Sequence, residues 1–145
     1  MIFKKNILLF LALIFLQSCA ITPQHNYLVT GLSDDDLAII TDDIIIMLAA
    51  GNPAKNTRFV LPRDAFGKTL SNRLGKQGYE VMFTDQNEVI PEKAKLVRYI
   101  IDYASPNSLY IALTINNSQR YVRSYTINSG QLTPDKIKIE GRNDE

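Results

Sequence analysis

The chain has 145 residues, with 16 Lys and Arg against 15 Asp and Glu, one His and one Cys. That near-neutral balance excludes the basic footprint of a nucleic-acid binder, and a single cysteine excludes an internal disulfide or a thiolate-rich metal site. The length allows one domain with a modest core.

Lys4 and Lys5 precede an uninterrupted apolar run over 7–16. A membrane-spanning helix needs about 20 such residues, so this run is roughly half long enough. A basic start, a short apolar stretch and small residues after it make a secretory signal. Its end, Leu16-Gln17-Ser18-Cys19, resembles the lipobox of bacterial lipoproteins. In those proteins the cysteine thiol takes diacylglycerol, the chain is cut before the cysteine, and the new amino group receives a further acyl chain, commonly palmitate. A thiolate is the side chain suited to that step. The expected signal peptide is residues 1–18, the lipid-attachment residue is Cys19, and the lipid holds the protein on a membrane without spanning it. Ala20 stands where an Asp would resemble an inner-membrane retention signal, so the expected location is the periplasmic face of the outer membrane. Removing 1–18 takes two lysines and no acid, which leaves 14 basic and 15 acidic residues, a formal charge of −1.

Residues 19–30 read as a lipidated tether, ending in a short strand over 27–30. Ser33 followed by Asp34, Asp35 and Asp36 is a helix start, with a capping box and carboxylates at the positive end of the dipole. Leu37, Ile40, Ile44, Met47 and Leu48 then recur at helical spacing, and Gly51 closes the helix. Residues 57–61 are β-prone and end at Pro62. A second helix starts near Arg63 or Asp64, with Phe66, Leu70 and Leu74 on one face and Gly78 as its stop. Gly67 and Gly75 weaken it, and either could admit a close neighbouring backbone.

Residues 79–84 predict the next strand, and 85–93 a loop. Three alternating segments follow, over 96–104, 109–116 and 120–128, separated by Ser105-Pro106-Asn107-Ser108 and Asn117-Ser118. Ile137 to Ile139 could add an edge strand, and 141–145 reads as a disordered tail. The expectation is α+β: two helices packed on a mostly antiparallel sheet ending in a three-stranded meander, as one domain over 31–140.

Catalytic constellations are missing from the pattern. His25 lies in the tether, where nothing would orient it as a base. Asp36 and Asp43 are seven apart on the first helix, so a surface cation is conceivable, but helix capping and a solvated face account for the acids without a metal. Glu80, Asp85 and Glu88 offer carboxylate pairs with no fixed separation. Tyr99, Tyr103, Tyr121 and Tyr125 recur at strand spacing. They read either as a core face under the helices or as an interface that a partner covers.

The lipobox, the paired Asp42-Asp43, and the run from Asp64-Ala65-Phe66-Gly67 through Leu70 and Leu74 to Gly78-Tyr79-Glu80-Val81 resemble the TrbH family of conjugal-transfer lipoproteins. The resemblance covers about the first two thirds of the chain. It implies a non-enzymatic component of a conjugation, or type IV secretion, apparatus in the outer membrane, with other secretion-channel proteins as partners. It brings no catalytic residue, no metal, no nucleic-acid partner and no small-molecule substrate; the covalent lipid on Cys19 is the only attached group it implies. The alternative is a periplasmic glycan- or lipid-binding lipoprotein unrelated to conjugation.

Overall fold

The computed structural model describes residues 26–85 and 88–141. Cys19, Leu16, Gln17, Ser18 and His25 lie outside the described residues, as do 142–145 of the expected tail.

Helix α1 (Asp34–Ala49) starts as its sequence requires. The Ser33 hydroxyl accepts from the Asp36 N–H at 3.1 Å, and the Asp36 carboxylate accepts from the Ser33 N–H at 3.1 Å. Two of the four orphan donors of the first turn are satisfied in this reciprocal way. Helix α2 (Ala65–Lys76) is capped by Asp64, whose carboxylate takes the Gly67 N–H at 2.6 Å. Of its two glycines only Gly67 is crowded. A Cβ at Gly67 would overlap the Pro62 carbonyl oxygen, whereas a Cβ at Gly75 would meet nothing within 4 Å.

Among the described residues, seven strands form one mixed sheet: β1 (Tyr27–Leu28), β2 (Arg58–Pro62), β3 (Glu80–Thr84), β4 (Ala94–Ser105), β5 (Ser108–Ile115), β6 (Gln119–Asn128) and β7 (Gln131–Gly141). The order is β3-β2-β4-β5-β6-β7, with β1 also on β4. The unit β2-α2-β3 is parallel, and β2 runs parallel to the start of β4 at Ala94, Lys95 and Leu96. Further along the same edge of β4, β1 pairs in parallel with Ile100 and Ile101. The longer registers, β4-β5, β5-β6 and β6-β7, are antiparallel. The class is α+β.

Two expectations change in detail. The successive antiparallel strands number four rather than three, because β7 spans Gln131–Gly141 instead of a short edge piece. Its hairpin turns through Ser129 and Gly130, both at positive φ (52° and 78°), the backbone a two-residue reverse turn between twisted strands demands. The tether also contributes to the domain. β1 is hydrogen-bonded into the sheet, Val29 N–H donates to the Ile101 carbonyl at 2.9 Å, and Leu28, Val29 and Leu32 pack against the core.

One buried cluster joins both helices to the sheet. Ile40, Ile44, Met47 and Leu48 of α1 and Phe66, Leu70 and Leu74 of α2 share it with Phe59, Leu61, Val97, Ile101, Ile111 and Leu113. Alternation along each strand then assigns the intervening residues to the opposite, outer face of the sheet.

Candidate interaction surfaces

The four tyrosines separate by position. Tyr99, Tyr121 and Tyr125 are 1 %, 2 % and 0 % exposed inside the core, while Tyr103 is 40 % exposed near the end of β4. The first three share the inward period with Val97, Ile101 and Leu113, so the chain's own core covers them. An open tyrosine face for a partner does not form at these three positions. Only Tyr103, next to the β4 irregularity between Tyr103 and Ser105, presents its ring to solvent.

Two of the buried hydroxyls end on helix carboxylates. Tyr125 donates to Asp43 Oδ2 at 2.7 Å, and Arg123 Nε lies 3.2 Å from that same oxygen. The Arg123 guanidinium also sits 5.9 Å from the Tyr125 ring centroid, within cation–π range. Tyr99 donates to Asp64 Oδ2 at 2.5 Å and meets Phe66 edge-on at 5.0 Å. Burial, and then the adjoining carboxylate, pushes both hydroxyls well above the ordinary tyrosine value. Each is held as a neutral donor, which suits a lock between helix and strand and gives neither hydroxyl a nucleophilic role.

A third polar knot closes α1 at its other end. Asn52 Nδ2 donates to the Leu48 carbonyl at 2.8 Å and to the Ala50 carbonyl at 3.1 Å. Lys95 Nζ donates to Asn52 Oδ1, and the Tyr79 hydroxyl donates to the Asn52 carbonyl at 2.8 Å. One buried amide thereby ties α1 to the starts of β3 and β4.

Asp36, Asp42, Glu80, Asp85 and Glu88 are occupied individually. Asp36 caps α1, Asp42 pairs with Arg73 of α2, Glu80 with Arg58 at 2.7 Å, and Asp85 with Arg63 at 3.3 Å. Glu88 accepts from the Asp85 backbone N–H at 3.1 Å. Asp36 and Asp43 therefore serve different partners, and among the described residues no three His, Cys, Asp or Glu side chains come together as a metal site. No helix among the described residues is long and apolar enough to cross a membrane.

The outer sheet face has its own order. Arg98, Thr114, Arg120 and Glu140 stand directly opposite one another across β4, β5, β6 and β7. Ile100, Ala112, Val122 and Lys138 form the next row, and Asp102, Tyr110 and Ser124 the third. Arg120 and Lys138 converge on Glu140 at 3.2 and 2.8 Å, while Arg98 has the Asn117 amide oxygen at 2.8 Å. Lys138 first, then Arg120, holds the Glu140 carboxyl below its usual range. In the sequence Arg98 and Arg120 stand among the strand tyrosines and suit polar rim contacts or a sugar-binding strip; their alignment with Thr114, Lys138 and Glu140 emerges only from the strand registers.

The family model described as conjugal transfer protein TrbH matches residues 21–140. No curated protein and no solved structure matches the chain. The match takes in both helices and nearly the whole sheet, including the antiparallel strands that the motif resemblance did not reach. The chain belongs to the TrbH family of conjugal transfer proteins.

Proposed function

We propose that the protein is a lipid-anchored, non-enzymatic structural component of a conjugal transfer apparatus, held on the periplasmic face of the outer membrane through Cys19. The signal over 1–18 is removed, and Cys19 becomes the lipidated first residue. The domain then docks onto other proteins of the secretion channel.

The observation that carries this reading is the family match over 21–140, which begins two residues after the lipobox cysteine. Anchoring at Cys19 also has a geometric consequence. Asn26 is fixed to the sheet, its side chain accepting from the Tyr99 N–H at 2.9 Å. Seven residues of fully extended chain reach at most about 25 Å. A domain so tethered stays within one domain diameter of the lipid surface, among whatever envelope proteins assemble there. Of the glycan- or lipid-binding alternative, a pocket lined by Tyr99, Tyr121 and Tyr125 does not fit the burial of those side chains.

The test is a Cys19→Ala variant in donor cells, followed by membrane fractionation and transfer frequency. Wild-type protein is expected with the outer membrane, and the variant free in the periplasm with transfer reduced. A variant that still fractionates with the outer membrane and still supports transfer would contradict the anchoring.

A further inference from the structure

Among the described residues, the outer face of β4–β7 carries more cations than carboxylates in its first two rows. Three cations, Arg98, Arg120 and Lys138, occupy two adjacent rows, and Glu140 is the one carboxylate among them. Asp102 lies in the third row, on the far side of the apolar Ile100-Ala112-Val122 line. On β2 and β3, Arg58 and Glu80 cancel each other. A positive excess therefore sits beside an apolar strip on a molecule whose mature chain is formally −1.

The shape narrows the partner. Ile100, Tyr110 and Val122 are half-buried and Ala112 is 3 % exposed, so no bulky apolar tip protrudes from these rows. Lying in a bilayer interface needs such tips inserted among acyl chains. A flat face with Arg and Tyr around a small apolar centre suits a protein contact instead. Four strands about 4.8 Å apart and three rows about 6.8 Å apart cover roughly 15–20 Å each way. That is room for a peptide segment, and less than the ~800 Å² each partner gives to a standard domain interface.

We propose that this outer face docks an acidic segment, with apolar residues among its carboxylates, of another protein of the transfer apparatus. The proposal rests on the docking role given above and names its surface and the chemistry of the partner. Carboxylates of the segment meet Arg98 and Arg120, and its apolar residues lie along Ile100, Ala112 and Val122.

The experiment places a photo-crosslinking amino acid at Tyr110, at Val122 and, as a control on the exposed side of α2, at Asn72, in the full-length protein in transfer-competent cells. Adducts are identified by mass spectrometry. Positions 110 and 122 are expected to yield adducts with one transfer protein, mapped to an acidic stretch, while position 72 yields none. Arg98→Glu with Arg120→Glu should lower the yield about tenfold or more, and Lys at both positions should largely retain it. Phospholipid adducts alone, adducts only at position 72, no adducts, or a yield indifferent to charge reversal would overturn the proposal. Fractionation and transfer frequency are scored in the same cells without the crosslinker. Normal anchoring and transfer without adducts at 110 and 122 rejects this surface and leaves the anchored role standing.

Discussion

The Tyr125 hydroxyl of β6 donates to Asp43 of α1 at 2.7 Å, joining residues 82 positions apart. Asp43 also faces Arg123 at 3.2 Å, and both side chains of that ion pair are largely buried, at 12 % and 15 % exposure. A carboxylate inside an apolar interface is costly unless it is paired and hydrogen-bonded. Removing the Tyr125 donor, and then the carboxylate itself, should show what the ion pair adds.

Tyr125→Phe keeps the ring and deletes the donor. Loss of a hydrogen bond to a charged acceptor should cost about 1.5–3 kcal/mol of unfolding free energy in urea titration. Asp43→Ala leaves Arg123 buried without its carboxylate and should cost about 3–5 kcal/mol. Equal losses in the two variants would remove Arg123 from this account.

The two raised tyrosines set an alkaline limit. An unfolded tyrosine ionises near pH 10, and Tyr99 and Tyr125 in the fold ionise well above that. Their contribution is fully present below pH 10 and declines as pH rises past it, because only the unfolded chain releases these protons. The expected slope is about 1.4 kcal/mol per pH unit for each tyrosine. Urea midpoints at pH 8 and pH 11 measure it, and Tyr99→Phe with Tyr125→Phe should flatten the difference.

The two glycines of α2 should respond oppositely to the same change. Gly67→Ala forces a methyl group onto the Pro62 carbonyl oxygen, so the cap-to-strand junction must shift and the thermal midpoint should fall. Gly75→Ala enters open space in a helix and should raise stability by about 0.5–1 kcal/mol. Thermal melts of both variants test the pair, and a Gly67→Ala protein as stable as wild type would contradict the crowding.

Much of the fold was legible where the signal is local. Ser33 and Asp36 announced α1, and Phe66, Leu70 and Leu74 announced the buried face of α2. The alternation of Val97, Tyr99 and Ile101 identified the inward side of β4. Parallel pairing of β2 with β3 and β4 was not legible, because its partners are distant in sequence and leave no turn between them. The length of β7 was hidden by Pro134 and by the register shift opposite Arg123 and Tyr125, although Ser129-Gly130 is a turn dipeptide.

The polar contacts follow the same rule. Asp43, read with the solvated face of α1, is instead 8 % exposed and lies beside Arg123 in the inward period of β6. Their pairing depends on how helix and strand meet, which no single segment encodes. The outer-face row Arg98-Thr114-Arg120-Glu140 likewise exists only once three registers are fixed together.

The central claim is attachment through Cys19, and its most direct measurement is the intact mass and N-terminal peptide of protein purified from the membrane fraction. The account predicts a chain that begins at Cys19 and carries diacylglycerol with a further acyl group. A chain that begins elsewhere, or begins at an unmodified Cys19, would contradict it.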